Sequence, residues 1–152
     1  MSEKARGALF NSLGDIDGLT VLDAFAGSGA LAFEALSRGA KQAVLIERDR
    51  LAQRAIAENI ATLDLPGAQL VKASANAWLQ TTATTFDLVL LDPPYDDLQS
   101  ELLTKLATRT TPGGLTVISM PPTSTLDLGA AYQVVADHEY GDARLVFYRR
   151  IT

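Results

Sequence analysis

Four consecutive residues, Asp92-Pro93-Pro94-Tyr95, carry the groups best suited to chemistry on a planar amine. The Asp92 carboxylate and a carbonyl fixed by the two prolines offer two hydrogen-bond acceptors, and Tyr95 offers a flat ring. Two acceptors beside a stacking face suit a ring bearing an exocyclic NH2. The residues just ahead, Phe86-Asp87-Leu88-Val89-Leu90-Leu91, form an apolar, partly β-branched run, which predicts a strand buried on both faces. Pro93 and Pro94 cannot extend the hydrogen-bond ladder, so the strand stops there. Asp92 is thereby expected at the carboxyl end of a central strand, where open α/β sheets place their ligands. An ordinary strand end with a proline turn and a surface Tyr would read the same way, so the rest of the chain has to decide.

A second constellation lies upstream. Leu19 to Phe25 reads as a strand and ends in Asp23-Ala24-Phe25; Ala26-Gly27-Ser28-Gly29-Ala30-Leu31-Ala32 then opens a helix that runs to about Arg38 and stops at Gly39. Gly27 and Gly29 allow a tight turn and the close approach of a ligand, and Ser28 is the expected N-cap. Gly27-x-Gly29-x-x-Ala32 also fits the dinucleotide fingerprint, so an NAD-dependent oxidoreductase is a competing reading. Gln42 to Glu47 is a second strand, and Glu47 falls where the ribose-binding acid of such folds is expected, some 20 residues beyond the glycines. Asp49 is expected to cap a helix reaching about Leu63, with Leu51, Ala55, Ile56, Ile60 and Leu63 inward. Arg48, Arg50 and Arg54 project from its start, as a solvated face or an RNA contact. Ala68 to Ala73 is a third strand, and after it the Asn76 amide could read an adenine edge or cap a helix. Trp78 reads as core.

These residues need a scaffold, and the remaining pattern supplies one. Ser2 to Leu13 predicts an amino-terminal helix stopped by Gly14. After Tyr95, Asp96 or Asp97 caps a helix with Leu98, Leu102, Leu103 and Leu106 inward. Pro112-Gly113-Gly114 leads into a fifth strand, Leu115 to Met120, and Thr125 to Ala131 reads as a short helix. Tyr132 to Asp137 and Arg144 to Arg149 form a closing antiparallel hairpin around Tyr140-Gly141-Asp142, with His138 on its surface. The 152 residues are 47% hydrophobic, enough for one domain with a sizeable core. With no Cys and one His, neither disulfides nor a metal site is expected. No apolar run approaches a membrane span and no signal peptide is evident, so a soluble cytoplasmic protein is the default. A net charge of -5 argues against a general polyanion binder, though not against an enzyme touching nucleic acid through a small patch.

Five strand–helix units and a closing hairpin resemble the class I, S-adenosylmethionine-dependent methyltransferase fold. Val21-Leu22-Asp23-Ala24-Phe25-Ala26-Gly27-Ser28-Gly29-Ala30-Leu31 is similar to its first motif, Pro112-Gly113-Gly114 to its entry into strand five, and Asp92-Pro93-Pro94-Tyr95 to the motif of enzymes that methylate amino nitrogens. More narrowly, Ala26 to Ala40, Arg6 with Ala8-Leu9-Phe10-Asn11, and Tyr140-Gly141-Asp142 resemble the RsmD family, which methylates N2 of a guanine in small-subunit (16S) ribosomal RNA. Departures stand at Gly7, where an acidic residue is usual, and Met120, where strand five often ends in Glu.

The resemblance implies a single α/β, Rossmann-like domain over residues 1–152. It has a mostly parallel seven-stranded sheet ending in an antiparallel hairpin, and helices on both faces. The amino-terminal helix spans 2–13, a cofactor-binding half 19–80 and a substrate half 86–152. S-adenosylmethionine, with no metal, would be held by Asp23, Phe25, Ala26, Gly27, Ser28, Gly29, Glu47, Arg48, Asn76, Ala77 and Asp92. Asp92, Pro93, Pro94 and Tyr95 would be catalytic, with Tyr95 stacking on a flipped base. The implied partner is ribosomal RNA within the small subunit, met by a monomer, without a membrane. Rival readings are methylation of another amino nitrogen (adenine N6 or a protein glutamine amide) and a truncated cofactor-binding module without catalysis. The negative charge, and a sequence that starts at Met1 without the Arg/Pro/Thr-containing segment usual in the family, lead to the expectation of weak binding to short naked RNA. The nearest cationic patch is Lys4 and Arg6, with Arg144, Arg149 and Arg150 as candidates.

Overall fold

In the computed structural model, which describes all 152 residues, one seven-stranded sheet runs through the chain in the order β3-β2-β1-β4-β5-β7-β6. β1 (Thr20–Asp23), β2 (Gln42–Glu47), β3 (Ala68–Lys72), β4 (Phe86–Leu91) and β5 (Thr110–Met120) are mutually parallel. β6 (Tyr132–Tyr140) and β7 (Ala143–Arg150) close the sheet as an antiparallel hairpin, with β7 inserted between β5 and β6. The order reverses between β1 and β4, the switch point at which such sheets open a crevice beyond their strand ends.

Alternate strand residues feed two separate cores, as pleating requires. Val21, Leu45, Leu88, Leu90 and Phe147 pack with α1 (Glu3–Leu13), α2 (Ala30–Ser37) and α3 (Arg50–Leu63). Leu22, Val44, Val89, Leu91 and Ile118 pack with α4 (Ala75–Leu79) and α5 (Ser100–Ala107) on the other face. Burial on both faces explains why the central strands carry unbroken apolar runs. No helix is long and apolar enough to cross a membrane.

Several expectations need correction. β1 ends at Asp23 rather than Phe25, because the Ala26 amide turns aside to donate to the Ile46 carbonyl (3.0 Å). Ser28 does not cap α2: Gly29 takes that position in a left-handed conformation (φ 84°), with no side-chain cap. Asp49 does cap α3, accepting from the Ala52 amide, but only Ile56 is buried on that helix and Ile60 partly so. Leu51, Ala55 and Leu63 face outward, because α3 lies over the sheet edge at β3, where little surface is available to cover. Neither Asp96 nor Asp97 caps α5. The Asp97 amide closes a turn on the Pro94 carbonyl (3.2 Å), and the helix begins three residues later, after Gln99. The Pro112–Gly114 turn is absorbed into β5 as an irregularity, with a register shift between Phe86 and Leu88. Residues 125–131 are not helical; the segment is pinned instead by buried Leu128 and by the Tyr148 hydroxyl donating to the Leu126 carbonyl.

Candidate active site

Three neighbouring strands bring a carboxylate each to the same end of the sheet. Asp23 closes β1, Glu47 closes β2, and Asp92 follows β4 directly. Above them opens a cleft of about 1090 Å³. Its floor is the glycine loop from Ala24 to Ser28, and one wall is formed by Ile46, Glu47 and Arg48 with Ala73 to Asn76. The opposite wall is Asp92-Pro93-Pro94-Tyr95, followed by Asp97, Gln99 and Leu102. The start of α1 (Met1, Ser2, Lys4, Arg6) and the β6–β7 turn from Tyr140 to Ala143 complete the rim.

The Glu47 carboxylate organises the loop side. Its Oε1 accepts from the Gly27 amide at 2.7 Å and its Oε2 from the Asp49 amide at 2.8 Å. Gly27 sits at φ 57°, and nothing lies within 4 Å of where its Cβ would be, so the space above it is open for a ligand. Gly29 serves differently. At φ 84°, an added Cβ would lie 2.7 Å from a ring carbon of Phe33 on α2 and 3.2 Å from a methyl carbon of Leu45 on β2, so this glycine lets the loop pack between helix and sheet and does not line the cleft. Ala77 is also absent from the lining; its amide is taken by Ser74 Oγ, the cap of α4. Asn76 is therefore not the helix cap, and it does line the cleft, as do Phe25, Ala26, Ser28 and Arg48.

Asp23 lies beneath the cleft rather than in its lining. It is fully buried, and neither carboxylate oxygen has a hydrogen-bond partner. Burial drives its pKa up to about 7, the charge of Asp92 adds to the rise and Glu47 adds less, while backbone amides of Ala32 and Phe25 partly offset them. A buried carboxylate left without a partner is costly unless it protonates or meets a positive group.

On the substrate side, Pro93, Pro94 and Tyr95 all line the cleft, Pro93 otherwise buried and the other two exposed. The Met1 amino nitrogen lies 3.4 Å from Asp92 Oδ2. The Tyr95 hydroxyl is hydrogen-bonded to Ser119 Oγ on β5. Partial burial raises the Tyr95 pKa despite that bond, so the ring is neutral and no proton acceptor.

Sequence reasoning did not find Ser119, and it gave Tyr140-Gly141-Asp142 as a hairpin turn and a family resemblance without a place in the site. The turn reaches the cleft because β7 starts beside the carboxyl end of β5, with Arg144 opposite Met120. Of the suggested cations, Lys4 and Arg6 line the cleft, although Arg6 also lies 3.8 Å from Glu34. Arg144 is committed to Asp137 and to the Ser124 carbonyl. Arg149 and Arg150 sit at the far end of β7, bonded to backbone carbonyls of Gly113 and Thr110. No group of three or more metal-ligating side chains comes together.

The family model described as conserved hypothetical protein 95 matches residues 1–149. The chain belongs to that family. It is the RsmD family that the sequence motifs resemble. Among members of known sequence, the Escherichia coli ribosomal RNA small subunit methyltransferase D is 42% identical over 95 residues, covering 62% of this chain and 48% of that protein. The Bacillus subtilis protein YlbH is 37% identical over 110 residues, covering 69% of this chain and 60% of its own. The chain thus spans about half of the first relative's length and three fifths of the second's. Among solved structures, Escherichia coli yhhF superposes with a TM-score of 0.92 at 31% identity, covering 99% of this chain and 88% of that one. The Thermus thermophilus protein TTHA0928 gives 0.85 at 30% identity, covering 98% and 86%.

Proposed function

We propose that this chain is an S-adenosylmethionine-dependent methyltransferase acting on the exocyclic N2 of a guanine in small-subunit ribosomal RNA. The observation that carries the reading is the shared cleft: Asp92, Pro93 and Tyr95 face the same space as the Gly27 loop and Glu47. The name of the Escherichia coli relative, a ribosomal RNA small subunit methyltransferase, supports the substrate class.

The chain's groups fit the cofactor. The space above Gly27 would be filled by any side chain, and the orphaned Asp23 carboxylate lies under the same loop. Glu47 would accept the ribose hydroxyls, Asn76 would meet the adenine, and Asp23 would balance the ammonium end. When bound, S-adenosylmethionine supplies a methyl group activated by its sulfonium centre. Everything else falls to residues of this chain. The guanine amino nitrogen is a poor nucleophile because its lone pair is delocalised into the ring. Asp92 and the Pro93 carbonyl accept hydrogen bonds from its two N–H groups, which favours a more tetrahedral nitrogen and frees the lone pair for in-line attack, and the Asp92 carboxylate takes up the proton that the methylated nitrogen sheds. Tyr95 stacks on the base, and the protein's contribution is mainly position and field. In this reading residues 19–80 hold the cofactor and 86–152 the nucleotide, in a cytoplasmic monomer.

The test is transfer of labelled methyl to undermethylated small subunits, with the product nucleoside identified. Asp92→Ala should abolish transfer while calorimetric affinity for S-adenosylmethionine stays within a few fold. Methylated adenine or glutamine as the product would replace the substrate. Cofactor binding without transfer to any acceptor would leave a binding module.

A further inference from the structure

Tyr95 lies outside every helix and strand, four residues beyond the end of β4. It is 36% exposed at the cleft wall, and a phenol so placed would ordinarily be free to swing. Its hydroxyl instead reaches down to Ser119 on β5, a side chain only 1% exposed. Ser119 is the next-to-last residue of a strand hydrogen-bonded to β4 on one side and β7 on the other, so its position is fixed by the sheet. The ring is therefore tethered at both ends. Its Cβ is attached to the rigid Pro93-Pro94 turn, and its oxygen is bonded to the sheet.

We propose that Ser119 is a positioning residue that holds Tyr95 as a fixed stacking platform for the extruded base. The inference rests on the methyl-transfer reading above and adds to it a residue on the neighbouring strand. Two consequences follow from the geometry. The Tyr95 hydroxyl is occupied, so the ring meets a base with its face, a contact every base can make. Base discrimination then falls to the acceptors on Asp92 and Pro93. The ring also need not be ordered at the moment of binding, so the tether acts on substrate affinity and leaves the chemical step alone.

The test uses the full chain and the variants Ser119→Ala, Tyr95→Phe, the double variant and Ser119→Thr. With S-adenosylmethionine saturating, Ser119→Ala and Tyr95→Phe should each raise KM for undermethylated small subunits by about 3- to 10-fold, the cost of ordering one side chain on binding. In Ser119→Ala, kcat and calorimetric cofactor affinity should stay within about 2-fold. The double variant should be no worse than either single one, because both remove the same bond. Ser119→Thr, which keeps the hydroxyl, should restore KM. Independently of substrate, NMR of ring-labelled tyrosine should show one Tyr95 rotamer in the native chain and rotamer averaging in Ser119→Ala. Additive KM effects, an unchanged KM in Ser119→Ala, or a Tyr95 ring that stays fixed in that variant would each overturn the positioning role while methyl transfer by the native chain stands. No transfer by the native chain to any RNA would overturn the reading beneath it as well.

Discussion

Asp23→Asn should make the chain more stable at pH 8 and leave it nearly unchanged at pH 4. The side chain is fully buried without hydrogen-bond partners, and its pKa rises from 3.8 to about 7 on folding. Between those two values the folded state holds a proton that the unfolded state has released. Stability therefore falls as pH rises through that window and is flat on either side of it. At 1.36 kcal/mol per pKa unit, a shift of about 3 units places an upper bound of about 4 kcal/mol on the loss by pH 8. Asparagine has nearly the same shape and no charge to desolvate, so the variant should lack this slope. The assay is urea unfolding of both proteins at half-unit steps from pH 4 to 8.5, compared by difference so that other titrations cancel. A cationic ligand above Asp23 should pull its pKa back down. S-adenosylmethionine should then bind the native chain more tightly as pH rises from 5.5 to 8, and the variant with little pH dependence. Parallel stability profiles across the whole range would refute the argument, since they would mean Asp23 carries the same charge folded and unfolded.

Glu47→Ala removes acceptors for the Gly27 and Asp49 amides as well as any ribose contact, so cofactor affinity should fall by about 1.5–3 kcal/mol in calorimetry; an unchanged Kd would take Glu47 out of the site. Gly27→Ala and Gly29→Ala should separate the two glycines. Both introduce left-handed strain of about 1–2 kcal/mol, but only Gly29→Ala adds a collision with Phe33. Urea midpoints should fall further for Gly29→Ala, whereas Gly27→Ala should lose cofactor affinity out of proportion to stability; the reverse order would contradict the assignment. Methyl transfer to small subunits should exceed transfer to a short hairpin RNA. Lys4, Arg6 and Arg48 are the cations lining the cleft, so the slope of log affinity for single-stranded RNA against log salt should not exceed about 2, at about 0.7 per phosphate. A slope steeper than 4 would require a cationic surface elsewhere.

The acidic ends of the strands were legible because strand termination is a local signal. Glu47 follows an apolar run at a set distance from the glycines, and Asp92 is stopped by two prolines. Gly27 and Gly29 were equally visible, but their division of labour was not, because it depends on Phe33 and Leu45 standing beside one of them. Leu51 and Leu63 were misplaced for a related reason. Periodicity gives the direction of an apolar stripe and says nothing of how much sheet lies beneath it, and α3 overhangs an edge. Ser119 could not be read at all, since a small residue in a buried strand carries no mark of a partner 24 positions away. The β6–β7 turn reaches the cleft only through the insertion of β7 between β5 and β6, a topological fact without local sequence expression.

The charge distribution links these parts to the proposed chemistry. Asp23, Glu47 and Asp92 crowd the ends of three adjacent strands, and the resulting field is strong enough that Asp92 and Glu47 both push the Asp23 pKa upward. A polyanion approaching such a floor alone would be repelled. A ligand carrying ammonium and sulfonium charges would be drawn to it and would cancel part of the field. Methyl transfer removes the sulfonium charge, so the same carboxylates that favour the cofactor favour its product less. In the proposed reaction the acidic floor would thus help both to load the site and to clear it. The cations Lys4, Arg6 and Arg48, which line the cleft, would then meet the phosphates around an extruded base. On the proposed reading, a chain of net charge -5 would act on RNA without a broad basic surface, through the cations lining the cleft and a fixed stacking face for the base.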